Sequence, residues 1–341
     1  MLIIQTIIIL CILIFVHELG HFAAAKLSGV KVNEFALGMG PAFFKRTRGE
    51  TQYSLRVFPI GGFCAMEGED GGSDDSKSFE KKPARIKAMI LAAGSFMNVA
   101  LAILILSSMF LITYSLTTEI RQVGEGSPAQ AAGIIAGDKI VSLDGVEIKE
   151  WQDIVTQISG TQKDSLTIGI IRDGRQLEVE TSVTTAEDGR KVIGITPAEA
   201  RSLGNPITAL IMGTKASYNM LVNMIEILGQ LFTGGVPTSD LVGPVGIAYI
   251  VEDTAKMGMR PLLFLVALIS LNLAIVNLLP FPALDGGRLL FLAIRKITGR
   301  AISDTVEGRI HLIGMVLLLA LMVYVTWNDI ERFIIGTFTF G

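Results

Sequence analysis

Residues 2–21, LIIQTIIILCILIFVHELGH, decide how the rest of the chain is read. Residues 2–16 carry no charge and run directly into His17-Glu18-Leu19-Gly20-His21. A bilayer core of roughly 30 Å calls for about 20 mostly apolar residues in a helix, so this run is a span. On a helix, positions i and i+4 share a face, which lets both imidazoles bind one metal ion. Glu18 follows one residue along and can serve as a general base. Three protein ligands and an open position for water define a catalytic zinc site, so one ligand is still missing. A chance pair of interfacial histidines is the bland alternative. Burying His, Glu and His beside an apolar run is expensive, however, and ionisable groups at that depth are functional by default. A cleaved signal peptide would need a positive leader, and no Lys or Arg precedes Lys26.

Working outward, three more stretches are long and apolar enough to span: 88–116, 261–284 and 310–327. Half of the 341 residues are hydrophobic and 18% are charged, which excludes an ordinary soluble chain and a disordered one. A net charge of −3 offers no field for nucleic acid, and two cysteines, Cys11 and Cys64, make no disulfide framework. Residues 26–87 hold eleven Lys/Arg against eight acids, 285–309 five against three, and 117–260 twelve against eighteen. The positive loops belong inside, so 26–87 and 285–309 are expected in the cytoplasm, with both termini and 117–260 outside. The stretch 207–232 is apolar, yet Lys215, Asn219, Asn223, Glu226 and Gln230 recur on one helical face. It reads as an amphipathic helix in the membrane interface, followed by a glycine-rich connection over 234–260 that includes LVGPVGI (241–247).

Between the second and third spans lies a small α+β domain over 118–200. Ser127-Pro128 opens a short helix, Trp151 to Gly160 marks a second, and Asp144-Gly145 and Asp173-Gly174 are hairpin turns. Leu166, Ile168 and Ile170 alternate as a half-buried strand. The stretch GSPAQAAGIIAGDKIVSLDG (126–145) resembles a PDZ domain, a module that binds extended peptides at a sheet edge.

The missing ligand is sought at Asp285, in NLLPFPALDGG (277–287). Pro280 and Pro282 oppose helix and unwind the end of the third span, which membrane-depth backbone permits only when buried in protein or lining a wet cavity. If 207–232 does not cross, Asp285 emerges on the same side as His17 and His21. His311, at the start of the last span, reads as an interface residue.

HELGH (17–21), LDGG (284–287) and the PDZ-like insertion together resemble the site-2 proteases, zinc intramembrane proteases of the regulator-of-sigma-E type, along essentially the whole chain. The resemblance implies Zn2+ held by His17, His21 and Asp285, with Glu18 as catalytic base. It further implies that Asn277 and Asn272 hold the substrate strand or the developing oxyanion. Gly94 and Asn98 match the family's GxxxN on the second span, and Asn98 joins the substrate-binding set. A membrane-associated β-hairpin falls in 32–66, where Tyr53, Leu55 and Val57 alternate and Gly61-Gly62-Phe63 marks its end.

The expected fold is thus a polytopic α-helical membrane protein with four transmembrane helices, that hairpin region and one extracytoplasmic PDZ-like α+β domain. The expected divisions are 1–117 (two spans, HExxH and hairpin), 118–200 (PDZ-like domain), 201–260 (interfacial helix and linker) and 261–341 (two spans with LDGG). The implied partners are the lipid bilayer, single-span membrane protein or peptide substrates such as pre-trimmed anti-sigma factors or remnant signal peptides, and an upstream site-1-type protease; no nucleic acid is expected. The implied place is a bacterial inner (cytoplasmic) membrane, with the active site near the cytoplasmic side. Two rivals stay open. A metal transporter would want ionisable residues along a path. A non-catalytic membrane scaffold using the PDZ-like domain would leave Glu18 free to vary.

Overall fold

In the computed structural model the opening Ile-rich run forms helix α1 (Leu2–Leu27). Isolated in water, so many β-branched residues would favour strand. In lipid only a helix or a closed barrel satisfies the backbone internally, and a single span takes the helix. The structure describes residues 2–69, 72–186, 189–235, 242–299 and 304–335. After α1 come strands β1 (Val32–Arg48) and β2 (Thr51–Met66), helix α2 (Ala84–Leu111), strand β3 (Ile112–Val123) and helix α3 (Pro128–Ala131). Strands β4 (Lys139–Leu143) and β5 (Val146–Glu147), helix α4 (Trp151–Gly160), and strands β6 (Ser165–Arg172) and β7 (Arg175–Ser182) follow. Next are β8 (Thr184–Thr185), β9 (Lys191–Val192), β10 (Ile195–Leu203) and helices α5 (Pro206–Thr233), α6 (Pro244–Lys256), α7 (Met259–Leu278), α8 (Asp285–Thr298) and α9 (Asp304–Ile335).

Two compact units result, one made of Met1–Phe110 with Pro206–Gly341 and the other of Leu111–Asn205. The first contains the four helices among the described residues that are long and apolar enough to cross a membrane: Ile4–Leu27, Ala84–Leu111, Met259–Leu278 and Thr305–Ile334. Two of these stop short of the uncharged runs that announce them. The second gives way to strand at Ile112, where Ile-Thr-Tyr begins a β-branched and aromatic stretch. The third ends at Leu278 because Pro280 and Pro282 supply no amide hydrogen.

The hairpin is more elaborate than a single turn. Glu34–Leu37 pairs on one side with Ala65–Gly62 and on the other with Gln52–Leu55, while Phe44–Arg48 pairs with Leu55–Thr51. The two long strands thus bend into a small sheet, and β2 runs through Gly61-Gly62-Phe63 to Met66 instead of ending there. Phe35, Cys64 and Met66 bury its root against Ala25 of α1 and Ile90 and Leu91 of α2.

Helix α5 has three faces. Ala209, Gly213 and Ser217 are buried, and Ala216, Met220, Leu221 and Met224 pack with Ala102 and Leu106 of α2 and Ala267 and Leu271 of α7. Ile207, Ile211, Tyr218 and Ile225 form an exposed apolar strip, and the expected polar residues from Lys215 to Gln230 line the remaining side, exposed. The connection expected over 234–260 contains α6. Its N-terminus is satisfied from α9, where the fully buried Asp329 accepts amide hydrogens from Gly243 (3.2 Å) and Gly246 (2.8 Å). Of LVGPVGI (241–247), Leu241 lies outside the described residues, as does the rest of 236–241. The loop expected over 285–309 likewise contains α8, with Asp285 in its first turn and Arg295 and Lys296 in its last, matching the helix dipole.

The second unit is wider than 118–200. β3 and β10 pair out to Ile112 and Leu203, and Gly204 donates to the Leu111 carbonyl (2.8 Å), so both chain ends of the unit lie side by side. The sheet order is β10-β3-β4-β6-β7, with β5 on β4. Ile120, Ile140, Leu143, Ile154, Ile158, Leu166, Ile168 and Ile170 close its core. Asp144 and Asp173 take positive φ before Gly145 and Gly174, as two-residue hairpin turns require. Ser127 caps α3 by accepting from Gln130.

Within this unit Asp138 has no exposed surface and binds Arg172 through Nε (2.7 Å) and Nη2 (2.6 Å). Burial works to raise its carboxyl, but Arg172 and the Ile135 amide outweigh it and hold the group below its ordinary value. A carboxylate depressed on folding stabilises above its unfolded value of about 3.9 and loses that contribution as pH falls through the folded value. Urea unfolding of residues 111–205 expressed alone should therefore weaken below about pH 4. Asp138→Ala should cost about 3 kcal/mol at neutral pH and remove part of that pH dependence.

Candidate metal centre

The histidines lie in the second half of α1, where they face α2 and the start of α8. His17 Nε2, His21 Nε2 and Asp285 Oδ2 stand 3.1, 3.1 and 3.2 Å from one another. Zinc bonds of about 2.0–2.1 Å set tetrahedral ligand atoms roughly 3.3–3.4 Å apart, so the three donors match a zinc site with one corner left open. Among the described residues this is the one group of three or more His, Cys, Asp or Glu side chains converging closely enough to hold a metal. Both histidines are buried, and Asp285 retains 21% of its side-chain surface, which puts the open side of the cluster at the carboxylate. Burial pushes the Asp285 carboxyl up, yet the two imidazoles outweigh it and hold it at about 2, ionised as a ligand must be.

Both imidazoles are aimed from behind. His21 Nδ1 lies 2.9 Å from the Ile90 carbonyl of α2, an acceptor only, which fixes the proton on Nδ1 and leaves the Nε2 lone pair for the cluster. Behind His17, the Asn98 amide lies 3.5 Å from Nδ1 while its Oδ1 is buried without a hydrogen-bond partner. Turning the amide end for end gives that oxygen the Nδ1 proton of His17 and frees Nε2 in the same way. This orphaned oxygen is itself evidence that the pocket is built for a metal-ligating imidazole.

Close helix approach makes the geometry possible. A Cβ on Gly94 of α2 would lie 2.4 Å from His21 Nε2 and 2.7 Å from His17 Cε1, and one on Gly20 would lie 2.3 Å from the Ala93 carbonyl. The glycine of the GxxxN pattern is thus the wall against which both imidazoles rest. In LDGG, a Cβ on Gly286 or Gly287 would strike the carbonyls of Leu279 (2.1 Å) or Phe281 (2.3 Å). Both glycines let the loop after α7 curl back onto the start of α8 and deliver Asp285.

Glu18 lies against the sheet. Its carboxylate accepts the Cys64 amide hydrogen, and a Cβ on Gly62 would sit 3.4 Å from its Cγ. Burial, helped by the Glu18 charge, pushes the Cys64 thiol up to about 12, so this cysteine is neither thiolate ligand nor nucleophile.

The asparagines part company. Asn277 Nδ2 is 3.3 Å from His17 Nε2, within the site. Asn98, expected among the substrate-binding residues, is fully buried behind His17, with its amide 3.5 Å from Nδ1. Asn272 is exposed, and five residues of helix turn it about 140° from Asn277, out of line with the site. Sequence reasoning missed the Ile90 carbonyl, which no residue type announces, and His311, treated below.

The model of Peptidase family M50 matches residues 5–321, and the chain belongs to that family, the site-2 proteases. The chain is 30% identical to the regulator of sigma-W protease RasP of Bacillus subtilis, covering 97% of this chain and 98% of that one. It is 30% identical to the zinc metalloprotease RasP of Shouchella clausii (95% and 97% covered) and 36% identical to a putative zinc metalloprotease of Clostridium perfringens (93% and 95%). A solved PDZ domain of an SdrC-like protein from Listeria monocytogenes matches 25% of this chain and 90% of its own length, at 25% identity and a TM-score of 0.23. The protein is a zinc metalloprotease of a membrane-embedded family.

Gly94→Ala places a methyl group where the imidazoles stand. Elemental analysis of the purified variant should find most of its zinc gone, with helix content by circular dichroism unchanged.

Proposed function

We propose that the chain is an endopeptidase that cleaves inside the transmembrane segments of single-span proteins, with zinc held by His17, His21 and Asp285. The observation that carries this reading is the mutual 3.1–3.2 Å spacing of those three donors, with Glu18 on the next residue of the same helix. Held by these three residues, zinc would supply a Lewis acid for a scissile carbonyl and a water acidic enough to serve as nucleophile near neutral pH. Glu18 takes the proton from the attacking water and passes it to the leaving amine. Asn277, beside His17, donates to the carbonyl oxygen as negative charge grows there.

A helical substrate hides its carbonyls in i to i−4 hydrogen bonds and must unwind before it can react. Pairing with an edge of the 32–66 sheet compensates for those bonds, as in strand addition. Exposed Met39, Phe43, Phe44, Val57 and Phe58 suit that sheet to the acyl region of a bilayer. The membrane is the cytoplasmic membrane of a bacterium, with the metal centre near its cytoplasmic side, as the Lys/Arg bias of 26–87 and 285–309 supports. The 111–205 unit, read as a PDZ-like domain outside, excludes substrates whose outer part is untrimmed, so that an upstream protease acts first. The sigma-W regulation in one relative's name supports anti-sigma-type substrates. A scaffold would have no use for three convergent ligands.

Glu18→Gln should retain about one zinc per chain and lose turnover by at least 100-fold, measured on a single-span reporter in proteoliposomes. Activity near that of the unaltered chain would exclude Glu18 as the base.

Because Leu116 and Glu199 are paired, residues 117–198 can be replaced by a short turn without opening the first unit. Zinc content and cleavage of a short, pre-trimmed substrate should persist in that deletion, and cleavage of an untrimmed one should rise. Loss of cleavage of the trimmed substrate with zinc still bound would mean that the unit presents substrates instead.

A further inference from the structure

The loop that carries Asp285 to the metal centre holds itself by two backbone hydrogen bonds, from Phe281 to the Leu279 carbonyl (2.7 Å) and from Leu284 to the Phe281 carbonyl (3.2 Å), neither of which involves Ala283. Pro280 and Pro282 have no amide hydrogen, and α7 has already stopped at Leu278. Ala283, two residues before Asp285, takes φ of +76°, a conformation that L residues other than Asn and Asp seldom adopt. Its amide hydrogen is donated across the fold to Nδ1 of His311 on α9, at 2.8 Å. Three residues further along the same face of α9, Gly314 receives Pro282: a Cβ there would stand 2.4 Å from the Pro282 Cβ and 2.6 Å from its carbonyl oxygen. The other side of the His311 ring meets Phe291 of α8, with centroids 5.5 Å apart. His311 therefore touches both the loop that leads into Asp285 and the helix that begins with it.

We propose that His311, seated beside Gly314 on α9, is a positioning residue for Asp285: it pins Ala283 in its left-handed conformation and so sets where the carboxylate stands. The inference rests on Asp285 being a zinc ligand. Metal ligands must be placed to within about 0.2 Å, and groups that orient them change metal affinity by roughly 10–100-fold when removed. With Nδ1 accepting from Ala283, the His311 proton sits on Nε2, on the side of Glu307 Oε1 but 3.9 Å from it, beyond hydrogen-bond distance. Among its described residues α9 contributes no donor to the metal cluster. It reaches the Asp285 loop through the His311 hydrogen bond and the close approach at Gly314, and α8 through the Phe291 ring contact and the Arg295–Glu307 ion pair.

The test measures zinc affinity of the full chain in detergent against a competing chelator, alongside the thermal midpoint of the metal-free protein. His311→Leu removes the acceptor, His311→Asn restores one at the position of Nδ1, and Gly314→Ala displaces Pro282 while leaving His311 in place. His311→Leu and Gly314→Ala should each weaken zinc binding by roughly 10–100-fold, and His311→Asn should bind nearly as the unaltered chain does. Asp285→Ala, run in parallel, separates the two readings. If it keeps its zinc, the ligand assignment fails and the inference falls with it. If it loses zinc while His311→Leu binds normally, the assignment stands and the positioning role is overturned. Equal loss in His311→Asn and His311→Leu would also overturn it, since the acceptor would then not matter. Should His311→Leu fail to fold, Gly314→Ala decides, and unaltered affinity there counts against the proposal.

Discussion

A carboxylate and two imidazoles must stand about 3 Å apart inside an apolar bundle, and the carboxylate comes from a residue 268 positions after the first histidine. Charge and dipole at that depth are expensive unless each group is answered by another. The fold answers them in a ring: Asp285 against two imidazoles, the imidazoles against the Ile90 carbonyl and Asn98, and Glu18 against the Cys64 amide. Everything else in the first unit is arranged so that this ring can close.

Two kinds of backbone make the closure possible. At Gly20 and Gly94, α1 and α2 approach more closely than any side chain would permit, which brings the Ile90 carbonyl and Asn98 within reach of the rings. Past Leu278 the helix is forbidden by proline, and the freed chain folds back on Gly286 and Gly287 before α8 begins. Small residues serve helix contact in a membrane because no hydrophobic force separates lipid from protein, so close van der Waals approach must supply the attraction. Here the same small residues also leave room for the imidazoles of His17 and His21. The sheet of β1 and β2 then backs Glu18 from the far side, through the segment that continues past Gly62.

Much of the site was legible in the primary structure. HELGH at the end of an uncharged run and LDGG after a proline-broken one each carry their own chemical reason, and the converging donors are the ones those motifs nominate. The asparagines were legible only as a set. Which of them faces the cluster depends on helix phase, and the phase places Asn277 at His17, Asn98 behind it and Asn272 away. α6 and α8 were read as connections because hydropathy marks spans and passes over short amphipathic helices. Each becomes a helix through terminal contacts: Asp329 at the start of α6, and the tight turn at Leu284 before Asp285 in α8.

Sequence alone determined the quantities that are local in the chain: the place and apolarity of the spans, the i, i+4 spacing of the histidines, the prolines that end α7, and the hairpin turns of the second unit. Each follows from backbone geometry or from transfer between water and lipid, which act within a few residues. Tertiary structure decided what requires two distant segments to meet. It aimed the imidazoles by a carbonyl on another helix, made Gly94 a wall, carried β2 past its glycines to Glu18, and tied the Asp285 loop to His311. A carbonyl has no residue type and a close approach has no motif. Such contacts exist only once the helices have packed, and packing depends on the shapes of all their faces together.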